Sequence, residues 1–258
     1  MALKTSIDLN SDLGEAYGVW PMGEDAAMLG IVTSANIACG GHAGDAETMF
    51  TTLCCARTNG ETVGAHPGYA DRPGFGRRII PMSVAEIERM VATQIGALMG
   101  AAALAGVPVR YVKAHGALAN LAADSADVAG AIARASAAIS RDLALLAISG
   151  TALEAAGTSA GLQVFSEVFA DRAYLPNGRL VPRSHPLAMI HDADFAANRL
   201  IGLLETGRMP TLDGPAVALS AQSICVHGDS PGAVAMARHI RAALNSAGVG
   251  LAAFLPAL

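Results

Sequence analysis

Four histidines occupy near-identical settings: His42 in GGHAGD, His66 in GAHPGY, His115 in KAHGAL and His227 in CVHGD, each just past a short β-like run and beside glycine or proline. Those neighbours let the backbone turn sharply, so that the imidazole projects from a strand end, as a general base or a metal ligand must. Four such points at successive strand ends predict one shared pocket, because αβ barrels and open sheets gather their chemistry at that edge. A fifth point opens the chain, where SIDLNSDLGEAYG offers Asp8, Asn10, Asp12 and Glu15. Strand alternation sends Asp8, Asn10 and Asp12 to one face and Ile7 and Leu9 to the other. Carboxylates crowded at one edge repel and lose hydration unless a cation, a shared proton or arginines compensate. Asp8, Asp12, His42 and His66 are therefore the candidate ligands for a divalent metal ion, although no HExxH, CxxC pair or EF-hand loop fixes such a site.

The basic residues mark an anionic side to this pocket: Arg77 and Arg78 in GFGRR, Lys113 two residues before His115, Arg172 in ADRAY and Arg183 in VPR. Guanidinium groups bind carboxylate or phosphate bidentately, and Lys113 can polarise a carbonyl or hold a phosphoryl oxygen. The competing reading pairs them with Asp71, Asp171, Glu167 or Glu15 as structural salt bridges.

Elements able to position these residues alternate along the whole chain. β-like runs at residues 6–12, 34–39, 62–66, 109–115, 143–149, 163–169 and 217–227 are separated by helical patterns, the rhythm of βα units, and seven strands suit a closed or nearly closed barrel in a single domain over residues 1–258. Ser83-Val84-Ala85-Glu86 reads as a capping box ahead of a helix with apolar Val84, Ile87, Val91, Ile95 and Leu98, and Thr151 to Glu154 as another. Asp45, Asp124 and Asp192 read as N-caps, Asp45 with an alternative place in the site. The last helix is expected from about Pro231 to Ser246. The long aperiodic stretch 171–191, with DRAYLPNGRLVPRSHP, reads as a lid or binding loop.

Composition narrows the class. A 52% hydrophobic, 15% charged chain of 258 residues builds a large core, and a net charge of −5 without a Lys/Arg run argues against nucleic acid. The longest apolar run, residues 95–109, falls short of the ~20 residues of a spanning helix, and the N-terminal residues have no apolar signal core, so the expectation is a cytoplasmic protein without membrane contact. The four cysteines read as reduced, with Cys225 a buried strand residue rather than a nucleophile. There is no GxxxxGK[ST], no strand-anchored GxGxxG and no GxSxG, so a P-loop ATPase, a dinucleotide enzyme and a serine hydrolase are unsupported.

The ordered strings DLNSDLGE, TSANIACGGHAGD, GAHPGYADRPGFGRR, VKAHGAL, EVFADRAYLPNGRLVPR and ICVHGD resemble the LamB/YcsF family, whose bacterial members are 5-oxoprolinase A subunits, from Asp8 to Asp229. The resemblance implies a (β/α) barrel related to the glycoside hydrolase and deacetylase barrels. It also implies a reaction that opens 5-oxoproline to L-glutamate with hydrolysis of ATP, as its Mg²⁺ complex, together with two further subunits, B and C. Motif positions fall on Asp8, Asn10, Asp12, Glu15, His42, Asp45, His66, Arg77, Arg78, Lys113, His115, Glu167, Asp171, Arg172, Arg183, His227 and Asp229. Asp12, His42, His66, Lys113, His115, His227 and Asp229 are the catalytic candidates among them. Asn10, Glu15, Asp45, Arg77, Arg78, Glu167, Asp171, Arg172 and Arg183 are the substrate or nucleotide contacts. Gly41, Ala114 and Ala119 depart from the family pattern of phenylalanine, proline and tyrosine, which predicts a roomier pocket. Two other classes stay open: a metal-dependent hydrolase or deacetylase acting without ATP, and a non-catalytic scaffold subunit.

Overall fold

The first strand, β1 (Ser6–Leu13), carries the acidic alternation into the centre of the molecule. The computed structural model describes residues 6–255. After β1 come β2 (Ser34–Ala38), β3 (Thr62–His66), β4 (Val109–Val112), β5 (Ala144–Ile148) and β6 (Val164–Phe169). Next are a short antiparallel ribbon of β7 (Arg208–Met209) and β8 (Val217–Ala218), then β9 (Ser223–Cys225) and β10 (Gly250–Leu251). Strands β1 to β6 pair in order, all parallel, and β9 pairs with both β6 and β1, which closes a seven-stranded barrel; β10 adds to β1 outside the ring.

Helices α1 (Asp25–Leu29), α2 (Ala46–Asn59), α3 (Val84–Ala105), α4 (Gly116–Asp124), α5 (Ala126–Ile139), α6 (Ala152–Ser159), α7 (Ala193–Thr206) and α8 (Ala233–Ser246) wrap the barrel. The box at Ser83 forms with both its hydrogen bonds, and the apolar stripe it starts buries Ile87, Val91, Ile95 and Leu98 but leaves Val84 exposed. Burial of each such side chain stabilises the fold by about 1.5–3 kcal/mol. Among the described residues no helix is long and apolar enough to cross a membrane, and all four cysteines are free thiols.

Three local expectations are corrected. The run 217–227 is not one strand: Val217 and Ala218 pair with the β7 ribbon, while Gln222 turns to exchange hydrogen bonds with Ser166 before β9 begins. Asp124 ends α4 instead of capping it, and Ser125 caps α5. The Thr151 hydroxyl donates to the Ile148 carbonyl, so no capping box forms there, although Glu154 accepts from Gly150 N–H. Asp192 caps α7 as expected.

Inside the barrel the side chains stack in layers. Tyr111, Ala144, Leu146 and Leu255, with Phe165 and Phe254, make an apolar floor. Gly64 faces it because a Cβ there would fall within the Tyr111 ring. A polar layer follows, in which Asp8 accepts from the hydroxyls of Thr33, Ser34 and Ser223, and Tyr111 donates to Asn36 (2.6 Å).

Just ahead of β3, Glu61 is buried with no hydrogen-bond partner for Oε2 among the described residues, and burial raises its pKa to about 7. The folded state therefore keeps a proton that the unfolded chain releases near 4.5, and stability declines as pH rises from there through about 7. Glu61→Gln should remove this decline. Allowing for solvent screening, we expect a gain on the order of 1 kcal/mol at pH 8, a few degrees in Tm, and none at pH 4. Thermal melts at the two pH values check this; an equal effect at both would refute it.

Candidate active site

Lys113 lies one residue beyond β4 and is almost fully buried. Its Nζ donates to Asp12 Oδ1 (2.9 Å), Asn10 Oδ1 (3.1 Å) and Cys225 Sγ (3.1 Å), and lies 3.1 Å from Glu167 Oε2. Burial alone would discharge the amine, but Asp12, Cys225 and Glu167 together hold its pKa well above the ordinary lysine value. Asp12 is the complement: burial works against its charge, and His66 and Lys113 overcome it, keeping the carboxyl well below its usual range. This is a buried charged centre at neutral pH, fixed on three sides by hydrogen bonds.

Three of the histidines meet beside it. His66 Nδ1 donates to the Lys113 carbonyl (2.8 Å) and His115 Nε2 to the Phe75 carbonyl (2.8 Å), so the nitrogens they turn toward each other, His66 Nε2 and His115 Nδ1, lie 2.9 Å apart. Asp12 Oδ2 is 3.3 Å from His66 Nε2, and Glu15 Oε1 is 3.6 Å from His115 Nδ1. His42 donates from Nε2 to Glu15 Oε1 (3.0 Å) and stacks on His115 with ring centroids 3.6 Å apart. Burial pushes Glu15 well above the usual carboxylate range, with Asp12 adding to it, and pushes His42 and His115 well below the usual imidazole value. The loop over this cluster is made to fit: Phe75 adopts a left-handed φ of 53°, and Gly76, at φ 60°, leaves no Cβ to strike His42 and His115.

The fourth histidine makes a separate dyad. His227 Nδ1 donates to Asp171 (2.9 and 2.8 Å to its two oxygens), and the lone pair left on Nε2 accepts from Arg183 Nη2 (3.3 Å). Burial would raise the Asp171 pKa, yet its contact with His227 and the nearby Arg183 hold it below the ordinary value. Arg172 sits nearby, its pKa lowered to about 10 by burial and by Arg183.

Dyad and charged centre face one cavity of about 450 Å³ at the carboxyl end of the barrel, lined by Asp12, His66, Arg77, Lys113, His115, Arg172, Arg183 and His227. An apolar part of the lining includes Ala114, Ala119, Ile148 and Val181. Residues meeting around a ligand-sized hollow are thus drawn from positions 12 to 227.

Other expected site residues are placed elsewhere. Glu15 and His42 lie behind the wall, and Asn10 and Glu167 lie under Lys113. Asp171 backs His227, and Asp229 pairs with Arg77 at 2.5 Å. Three are corrected outright. Asp45 is the N-cap of α2, accepting from Thr48 and Gly18 N–H. Arg78 is spent on Asp71 at the surface. Asp8 is tied to hydroxyls in the layer below and cannot join His42 and His66. Among the described residues the groups able to surround an ion are instead Glu15, His42, His66 and His115, and Asp12, Cys225 and His227.

Cys225 belongs to the Lys113 centre, with burial raising its pKa, so it is a buried thiol as expected, but its contact with the lysine ammonium had no signal in the sequence. Asn36, which donates to Asn10 and Asp12, was not among the expected site residues, although alternation along β2 is the signal that points to it. Phe169, which stacks on His227, carries no sequence signal of its own.

The LamB/YcsF family model matches residues 7–257. The chain belongs to the LamB/YcsF family. The 5-oxoprolinase A subunit of Paracidovorax citrulli is 52% identical over 96% of this chain and 99% of its own length. That of Nitrobacter hamburgensis is 49% identical over 96% of this chain and 98% of its own. The crystal structure of a lactam utilization protein from Thermus thermophilus superposes with a TM-score of 0.90 at 41% identity, covering 96% of this chain and 99% of that one.

Of the three departures from the LamB/YcsF pattern, Ala114 and Ala119 do line the cavity. Gly41 does not enlarge it: the Gln94 carboxamide fills the space a Cβ would need and bonds both the N–H (3.1 Å) and the carbonyl (2.7 Å) of Gly68. Gly41→Ala should therefore cost about 1–3 kcal/mol, and Gln94→Ala in the same chain should recover part of it. A double-mutant cycle in urea checks this; additive effects would mean Gln94 does not fill that gap.

Proposed function

We propose that this chain is the A subunit of a 5-oxoprolinase that opens 5-oxoproline to L-glutamate, with ATP, as its Mg²⁺ complex, hydrolysed in the same cycle and subunits B and C completing the enzyme. The observation that carries the reading is the single cavity in which an oriented His–Asp dyad, a buried lysine–aspartate centre and four arginines, Arg77, Arg172, Arg179 and Arg183, face one another.

A five-membered lactam is a weak electrophile with a poor amine leaving group, so its hydrolysis gains from activation. Transfer of the γ-phosphoryl group to the amide oxygen makes C5 open to water. Water adds there, the C5–N bond breaks as nitrogen takes a proton, and the γ-acyl phosphate left behind is hydrolysed by a second water to glutamate and phosphate. Arg172 and Arg183 suit the substrate carboxylate and the phosphoryl oxygens. Lys113 stabilises charge developing on the amide oxygen. His227, its Nε2 lone pair held outward by Asp171, takes the proton from the attacking water once Arg183 turns to the substrate.

Glutamate formation from 5-oxoproline, followed with the chain alone and with its partner subunits, in the presence and absence of ATP, tests the proposal. ATP-dependent glutamate from the complete mixture supports it; no glutamate there refutes it. Turnover by the chain alone, indifferent to ATP, would assign it to simple hydrolysis.

A further inference from the structure

Two backbone carbonyls, of Lys113 and Phe75, accept from His66 Nδ1 and His115 Nε2. A carbonyl oxygen can only accept, so each ring commits one proton outward, away from the other. The nitrogens that face each other across 2.9 Å are then two lone pairs, a repulsive contact unless something positive lies between them. Glu15 Oε1 and Asp12 Oδ2 converge on the same point from the sides, at 3.6 Å from His115 Nδ1 and 3.3 Å from His66 Nε2. The nearest ammonium, Lys113 Nζ, is already committed to Asp12 Oδ1, Asn10 and Glu167. One proton shared by the rings would satisfy two of four acceptors; a divalent cation satisfies all of them.

We propose that His66 Nε2, His115 Nδ1 and Glu15 Oε1 bind one divalent transition-metal ion, of the Zn²⁺, Mn²⁺ or Co²⁺ type, in the wall of the cavity, with Asp12 Oδ2 or water at the remaining position. Bonds of about 2.0–2.1 Å to each ring span nitrogens roughly 3 Å apart. The perpendicular His66 and His115 rings allow one ion to lie in both planes. His42 is parallel to His115 at 3.6 Å, so an ion in the plane of one is out of the plane of the other; His42 acts instead by donating Nε2–H to Glu15 and fixing that carboxylate. The carbonyl-anchored far nitrogens of both ligand rings are the support that metal-bound histidines require. Because His66, His115 and Asp12 line the cavity, the ion keeps an open side toward a bound ligand. Its use as a Lewis acid on a lactam carbonyl rests on the reaction proposed above, whereas its binding does not.

The test uses the full chain freed of metal by chelator, titrated with Zn²⁺, Mn²⁺ and Co²⁺ by calorimetry, with the visible spectrum of the Co²⁺ form recorded. We expect one equivalent bound, a rise in Tm, and Co²⁺ bands of an imidazole and carboxylate site. Glu15→Gln, His66→Ala and His115→Ala should each weaken binding at least ~100-fold, while His239→Ala, on the surface beside Asp194, should not change it. Failure of the wild-type chain to take up any of the three ions would overturn the proposal and leave a proton between the rings. Binding that persists in all three site variants would overturn it too, as an adventitious site. Should a variant fail to fold, the wild-type stoichiometry and Co²⁺ spectrum still decide. None of these readouts depends on glutamate formation, so loss of the reaction assignment and loss of the metal site are separable.

Discussion

Lys113→Met should lower kcat/KM for 5-oxoproline in the complete enzyme by about 10²–10³-fold, the size of effect seen when one preorganised electrostatic stabiliser of a developing oxyanion is removed. The same substitution strands Asp12 and Glu167 in the barrel without their shared cation. Breaking a buried ion pair by removing one partner costs about 3–5 kcal/mol, so Tm should fall by roughly 10 °C at neutral pH. The loss should shrink as pH drops, because the unpaired carboxyls can then take protons. Lys113→Met with Glu167→Gln removes one stranded charge and should recover part of the stability while leaving turnover low. Recovery of turnover along with stability would mean Lys113 acts only as a structural cation.

Asp171→Asn comes second. The aspartate accepts from His227 Nδ1–H and does not line the main cavity, so its replacement should leave substrate binding nearly intact. An asparagine can offer its N–H₂ to Nδ1, which shifts the ring proton to Nε2 and turns the outward lone pair into a donor. The expected result is a fall in kcat of about 10³–10⁴-fold, the order known for His–Asp pairs that act as a base, with KM changed little. Steady-state kinetics of the complete enzyme decide it. A raised KM at unchanged kcat would instead make the pair a binding element.

Much of this site was readable because its parts obey local rules. Each histidine stands at a strand-to-turn junction marked by glycine or proline, and alternation along β1 turned Asp8, Asn10 and Asp12 inward, as they lie. Strand identity was similarly plain where apolar runs were short and bounded. It failed at 217–227, where the choice between one strand and two depended on Gln222 meeting Ser166 across the barrel. Asp45 matched the motif as well as Asp12 did, but its own helix start claimed the carboxylate.

By itself, then, the chain's order of residues determined a parallel barrel, the family and the edge at which polar groups cluster, since propensity, turn chemistry and two-residue alternation act over a few positions. Partnership was decided only by closure. The β1–β9 pairing sets Asn10 opposite Cys225, which brings Asp12 to the same mouth as His227 across more than two hundred residues. The Arg78–Asp71 pair is local, closed within the loop after β3, whereas the β1–β2 and β2–β3 registers set Asp8 a layer below His42 and His66 and Glu15 beside them. Contacts of that kind depend on strand stagger and crossing helices, quantities that no local pattern of side chains encodes.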